Sequence, residues 1–181
     1  MYRQPAALQL TAPGLAEFVK FLPEKRLGLL ALQRLHYLLP LAVAAFSLPL
    51  LAANKEMRLA RSVSGLLRLA VLPAALALLS PVWAPGVLLN EEFRLQTVAA
   101  AVAVGLAVVA PLFSRLPLKW LAAAIAIGAG AGLVLALKQF GLAGPAIAAA
   151  YAAPIRLGWG GWLAVGGGGG AIAAALRVWM R

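Results

Sequence analysis

Long apolar runs separated by short charged stretches dominate this sequence of 181 residues. The clearest run is 35–53, and comparable runs follow at 66–84, 97–113, 120–137 and 145–179. About 20 apolar residues in a helix match the ~30 Å hydrocarbon core of a bilayer. Helices also satisfy their own backbone polar groups, which a bilayer requires. The pattern predicts an all-α integral membrane protein, a polytopic helical bundle of about five transmembrane helices.

The composition supports this class and excludes an ordinary soluble domain. Hydrophobic residues make up 64% of the chain and charged residues 12%, against roughly 45–50% and 25% in soluble domains. The net charge of +11 does not indicate a nucleic-acid partner, because Lys and Arg gather at the ends of the apolar runs. Basic residues in that position set membrane topology.

Residues that could carry chemistry are scarce. The chain has no Cys, one His and five acids, none of them in the middle of an apolar run. We therefore expect no catalytic residue, cofactor or metal site, and no proton relay. His36 stands beside Tyr37 at the start of the first run, where an interfacial role is typical.

The region 1–33 differs from the transmembrane domain 34–181. Leu15, Val19 and Leu22 recur at helical spacing, with Glu17 and Lys20 on the other side. This amphipathic pattern predicts a segment that lies in the membrane interface.

The segment 54–68, NKEMRLARSVSGLLR, is the longest polar interruption between two runs. It carries one acid, Glu56, and four cations: Lys55, Arg58, Arg61 and Arg68. We interpret it as a short cytoplasmic helix between two spans, with a break near 62–65. The positive-inside rule then places the basic stretches 115–119 and 177–181 on the cytoplasmic side and the acidic link around Glu91 outside.

The stretch 138–144 is predicted to be a turn. Two other features of the C-terminal half, the run 145–179 and Arg156, leave alternatives open. At about 50 Å of helix, the run 145–179 exceeds a bilayer core, so we expect a kink or break at Pro154, at 158–161 or in the glycine run 166–170. The alternative is two short hairpinned helices. Arg156 either contacts a lipid head group or substrate, or snorkels to the interface.

Small residues at i, i+4 and i+8 let another helix approach closely. In the fourth run they are Ala124, Gly128 and Gly132. The spacing indicates either packing within the bundle or a dimer interface.

The order of these features resembles the LptF/LptG (YjgP/YjgQ) permeases of the lipopolysaccharide-transport ABC exporter. The matching stretches are NKEMRLARSVSGLLRLAVLP, VLLNEEFR, APLFSRLPLKW and FGLAGPAIAAAYAAPIRLG, within roughly 35–165. The resemblance implies that 54–68 is a coupling helix in which Glu56, Arg58, Arg61, Ser64 and Gly65 contact a cytoplasmic ATP-binding subunit. The family's first span and its periplasmic jellyroll have no clear counterpart in the sequence.

The resemblance further implies a multi-pass inner-membrane subunit that moves lipid or lipid-linked glycan, with a second permease copy or homologue as partner. The alternative is a non-catalytic membrane scaffold or assembly subunit of a larger complex. A lipid-modifying enzyme is disfavoured, because His36 and five Glu do not form an acid–base constellation.

Overall fold

The computed structural model describes residues 12–79, 85–151 and 156–180. Nine α-helices occupy most of these residues, and no strand occurs among them. The α-helices are α1 Ala12–Phe18, α2 Pro23–Arg26, α3 Leu39–Ala53, α4 Arg61–Leu69, α5 Val71–Leu78, α6 Pro85–Leu88, α7 Glu91–Val109, α8 Leu118–Tyr151 and α9 Trp159–Trp179. Short 3-10 turns lie at Val19–Phe21, Arg34–Leu38, Lys55–Met57 and Ala110–Phe113.

Five stretches of the described chain are long and apolar enough to cross a membrane. They are Leu35–Ala53, Arg61–Leu78, Glu91–Phe113, Leu118–Ala149 and Trp159–Trp179. The predicted fold class, a helical multi-pass membrane protein, is therefore confirmed. The first stretch begins and ends where the sequence predicted, whereas the other four have different bounds.

The third span begins earlier than its apolar residues suggest. Asn90 precedes α7, and its side-chain oxygen accepts a hydrogen bond from the backbone N–H of Glu92. Glu91 and Glu92 occupy the first turn, where carboxylates interact favourably with the helix dipole. The acidic link is thus helical, and it adds almost two turns to the predicted span.

The predicted turn at 138–144 is wrong, because α8 runs without interruption through 34 residues. Gln139 is only 4% exposed within the helix, and its side chain is hydrogen-bonded to a neighbouring segment. Pro145 removes one helical hydrogen bond, which a kink can accommodate. The helix is about 51 Å long at 1.5 Å per residue and exceeds the bilayer core.

The glycine run 166–170 does not break the last apolar stretch, since all five residues lie inside α9. Glycine weakens a helix by about 1 kcal/mol per residue, but a backbone group left unpaired in lipid costs several. Among the described residues, 156–158 are not helical and Gly158 is the N-cap of α9, so the chain is interrupted at the start of the expected 158–161 region. Pro154 lies outside the described residues.

The N-terminal segment packs its apolar side on the bundle. Leu15, Val19 and Leu22 are buried in the same core cluster as Leu78 of α5 and Ile147 of α8. The amphipathic pattern was read correctly, but its apolar side is covered by protein. The other helices offer enough apolar surface at this level to bury it.

The small residues of α8 bring this helix close to α3. A methyl group added at Gly132 would lie 3.3 Å from the backbone carbonyl carbon of Leu39, and one at Gly128 would lie 3.3 Å from Val43. Ala124 is exposed. The two glycines therefore face a neighbour within the same chain.

The bundle has two ends of different charge. The first, which we call the basic end, contains the connection 54–60, the turn 114–117 and the last turn of α9. Trp120 and Trp179 meet there with ring centroids 5.9 Å apart. The second, which we call the mixed end, contains the N-terminal segment and the start of α7, joined by Lys20 and Glu92. Four of the five acids lie at the mixed end, and Glu56 lies at the basic end.

Candidate functional site

The segment 54–68 does not form a single short helix. Residues 55–57 make one 3-10 turn, and α4 then starts at Arg61 and leads into α5. The expected break near 62–65 is wrong, because these residues lie inside α4. Arg58 joins the two pieces with φ 46° and ψ 37°, the left-handed region that non-glycine residues seldom adopt. The chain thus makes a sharp corner at an arginine.

Asn54 anchors this corner to the next hairpin. Its side-chain oxygen accepts a hydrogen bond from the backbone N–H of Glu56 at 2.9 Å, and its Nδ2 donates to the carbonyl of Leu116 at 2.9 Å. The backbone N–H of Lys55 donates to the carbonyl of Ser114 at 3.1 Å. Asn54 is only 4% exposed. The connection between the first two spans is therefore tied to the connection between the third and fourth.

A cleft of about 480 Å³ opens between this corner and α4. Its lining consists of Ala52, Ala53, Asn54, Lys55, Arg58, Leu59, Arg61, Ser64, Gly65 and Arg68. The four α4 residues are spaced i, i+3, i+4 and i+7, which places them on one helical face. The spacing thus explains why Arg61 and Arg68 lie on the same wall of the cleft.

The cleft is strongly positive. Its lining includes all four cations of the segment and no carboxylate. None of the four forms an ion pair within the described parts of the chain. The Nε atom of Arg68 is enclosed and has no hydrogen-bond partner. Such an arrangement attracts anions, and the paired N–H donors of arginine match the oxygens of phosphate and carboxylate groups.

The residues predicted to contact a partner have different positions. Glu56, Arg58 and Arg61 are exposed at the basic end. The hydroxyl of Ser64 donates to the carbonyl of Ala52 at 2.6 Å, so this group links α4 to α3. Gly65 lines the cleft and has open space beside it. Ser64 and Gly65 therefore shape the cleft wall.

Sequence reasoning did not identify Lys55 and Arg68 as site residues. The position of Arg68 was predictable, because it follows Arg61 by seven residues and therefore lies on the same helical face. The anchoring role of Asn54 had no local signal, since its partner Leu116 lies 62 residues away.

Arg156 does not lie in the middle of a span. It is exposed and falls in the connection between α8 and α9. The guanidinium group of Arg156 therefore lies outside the candidate spans. Neither of its two expected roles is decided by this position.

A polar cluster at the mixed end has its hydrogen bonds satisfied internally. The Gln139 side chain accepts from the backbone N–H of Gln33 at 3.2 Å and lies 3.1 Å from Nδ1 of His36. The Tyr37 hydroxyl donates to the Gln139 carbonyl at 2.8 Å. Gln139 thus joins α8 to Gln33 of the N-terminal segment and to His36 at the start of the first span. Within the described ranges, no group of three or more His, Asp or Glu side chains could hold a metal ion.

In comparisons with known proteins, no family model, curated protein or solved structure matches the chain. The resemblance to LptF/LptG permeases therefore depends on the residues quoted above alone. The described structure is that of a multi-pass helical membrane protein with a basic cleft at one end.

Proposed function

We propose that this chain is a permease-type subunit of an ABC exporter in the inner membrane, moving lipid or lipid-linked glycan. The basic end faces the cytoplasm, as the positive-inside rule favours. A separate subunit supplies ATP hydrolysis, and the chain itself contributes no catalytic residue. The observation that carries this proposal is the pair of hydrogen bonds from Asn54 and Lys55 to the turn 114–117.

These bonds give the corner at 54–60 the connections that a coupling element needs. A displacement of the corner by a bound subunit moves α3 and α4, because the corner joins them. Through the hydrogen bond of Asn54, it also moves the turn that joins α7 to α8. Four spans thus respond to one contact. Transmission of this kind requires a stiff link between packed helices.

The surface offered to the ATP-binding subunit consists of Glu56, Arg58 and Arg61. All three are exposed, and they project from the corner and the first turn of α4. Because an acid lies beside two cations on this surface, a partner with the complementary charge pattern can dock in only one register. The left-handed backbone at Arg58 fixes the direction in which this surface points.

Co-purification tests this proposal. Wild-type protein extracted from its source membrane should retain an ATPase, detected by native mass spectrometry and ATP hydrolysis. The double variant Arg58→Glu/Arg61→Glu should lose at least about 90% of that ATPase, because each reversal converts an attraction into a repulsion. The control Arg94→Glu/Lys138→Glu makes the same charge change at exposed positions of the mixed end and should retain it. Absence of any ATPase from the wild-type complex, or equal retention by both variants, would reject the proposal.

A second candidate function is a non-catalytic scaffold subunit. It is favoured by α9, which packs on α8 while only 6% of its apolar stretch is buried. Trp159, Trp162 and Leu163 are all more than 60% exposed on this helix. Such a surface suits another membrane protein as well as lipid. Native mass spectrometry separates the candidates, since a scaffold would carry membrane partners and no ATPase.

A further inference from the structure

We propose that the basic cleft binds a phosphate group, supplied by the head group of an anionic lipid or by a soluble phosphate compound. The inference goes beyond the proposed ATPase contact and does not depend on it. Arg58 and Arg61 are exposed and also line the cleft, so they take part in both proposals. Arg68 belongs only to the cleft.

Charge is the first reason. Lys55, Arg58, Arg61 and Arg68 converge on one cavity whose lining lacks a carboxylate. Like charges held together repel, and the repulsion lowers the stability of the folded chain. The exposed Glu56 is nearby in sequence, but its side chain is not part of the lining. A bound anion would offset the repulsion.

Hydrogen bonding is the second reason. The Nε–H of Arg68 is enclosed and has no hydrogen-bond partner, although the residue lines the cleft, so an acceptor in the cleft would satisfy this donor once the side chain turns toward the cavity. A guanidinium group presents parallel N–H donors that match two phosphate oxygens. The helix α4 also starts at the cleft without a side-chain cap. Its first backbone N–H groups and its dipole add further attraction for an anion.

Position is the third reason. The walls combine these donors with the apolar side chains of Ala52, Ala53 and Leu59. Leu66 and Leu69, on the same helix as Arg68, are 68% and 63% exposed and belong to a membrane span. The cleft therefore lies at the N-terminal end of a candidate membrane span, where lipid head groups are expected.

Lipid retention by the purified full chain, without any ATPase present, tests the inference. Protein in detergent is incubated with an equimolar mixture of phosphatidylglycerol and phosphatidylcholine, and bound lipid is counted by native mass spectrometry. In a second arm, inorganic pyrophosphate is added and the thermal unfolding temperature is followed. The variants are Arg68→Gln and, as a matched control, Arg177→Gln, which removes an exposed cation from α9 at the same end.

The wild type and the Arg177→Gln control should bind phosphatidylglycerol or pyrophosphate with the same affinity. Arg68→Gln should bind that compound about tenfold more weakly, as expected for one lost charge-assisted bond. Arg68→Lys keeps the charge and should recover part of the affinity. Selective retention of phosphatidylglycerol assigns a lipid, and a response to pyrophosphate alone assigns a soluble phosphate. The inference is rejected if the wild type responds to neither probe, or if the control loses as much as Arg68→Gln.

The two proposals fail in different experiments. Loss of phosphate binding in Arg68→Gln leaves ATPase retention to be judged from Arg58 and Arg61. A wild-type protein without an ATPase can still bind phosphatidylglycerol. A folded Arg68→Gln protein, shown by an unchanged circular dichroism spectrum, that binds both probes as the wild type does would reject the phosphate site alone.

Discussion

The sequence motif Asn-x-Glu occurs twice, once at each end of the bundle, and the two copies form the same local turn. Asn54 accepts a hydrogen bond from the N–H of Glu56, and Asn90 accepts one from the N–H of Glu92. The first bond is 2.9 Å long and the second 3.4 Å. Three residues thus suffice to specify the turn at either end.

The surroundings of the two turns differ. Asn54 is buried and also donates across the chain to Leu116, whereas Asn90 is exposed and serves its own helix. The local motif therefore determines conformation, and its neighbours determine how much depends on it. Only at the basic end does the turn join two hairpins.

The charges near the turns differ in the same way. At the mixed end, Lys20 lies 2.7 Å from Glu17 and 3.7 Å from Glu92. At the basic end, the four cleft cations have no ion-pair partner in the described structure. Stability alone does not require such a cluster, and this supports a binding role for it.

The largest effect is expected from Asn54→Ala. The substitution removes both hydrogen bonds of the buried Asn54 side chain, to the carbonyl of Leu116 and from the N–H of Glu56, which should lower the free energy of unfolding by about 2–3 kcal/mol. Thermal unfolding in detergent measures the change. A loss below about 1 kcal/mol would show that the corner is not anchored through this side chain.

An intermediate effect is expected from Gln139→Leu at the mixed end. The N–H of Gln33 and the ring of His36 would lose their partner, with a cost of about 1–2 kcal/mol. The same unfolding assay applies, with Lys138→Leu as a control at the adjacent exposed position. Equal effects of the two substitutions would mean that burial at position 139 does not determine the loss.

The smallest effect is expected from Asn90→Ala. This exposed cap should contribute about 1 kcal/mol or less, because water can replace it. The comparison with Asn54→Ala uses the same substitution in the same motif. A loss at Asn90 as large as that at Asn54 would contradict the role assigned to the contact with Leu116.

The sequence predicted the fold class and the number of spans because lipid imposes a simple rule on hydrophobic length. It failed where polarity was taken as the end of a helix. Gln139 is polar and buried, and partners remote in sequence satisfy it inside α8. The start of α7 at Glu91 was readable from the Asn cap and the acids that follow it.

The candidate site was predicted only in outline. The basic composition of 54–68 was evident, but the corner at Arg58 depends on a backbone conformation without a local sequence signature. The cleft itself depends on the contact between Asn54 and Leu116, which are 62 residues apart. Contacts of that range follow from packing and not from periodicity.

Because α8 is continuous from Leu118 to Tyr151, it can transmit a movement from one end of the bundle to the other. It starts next to the turn that Asn54 holds, and toward its other end Gln139 accepts a hydrogen bond from Gln33 of the N-terminal segment. A tilt of about 5° over the roughly 32 Å from Leu118 to Gln139 displaces the far end by about 3 Å. A small rotation produced at the basic end would therefore reach the N-terminal segment as a movement comparable to the width of a side chain.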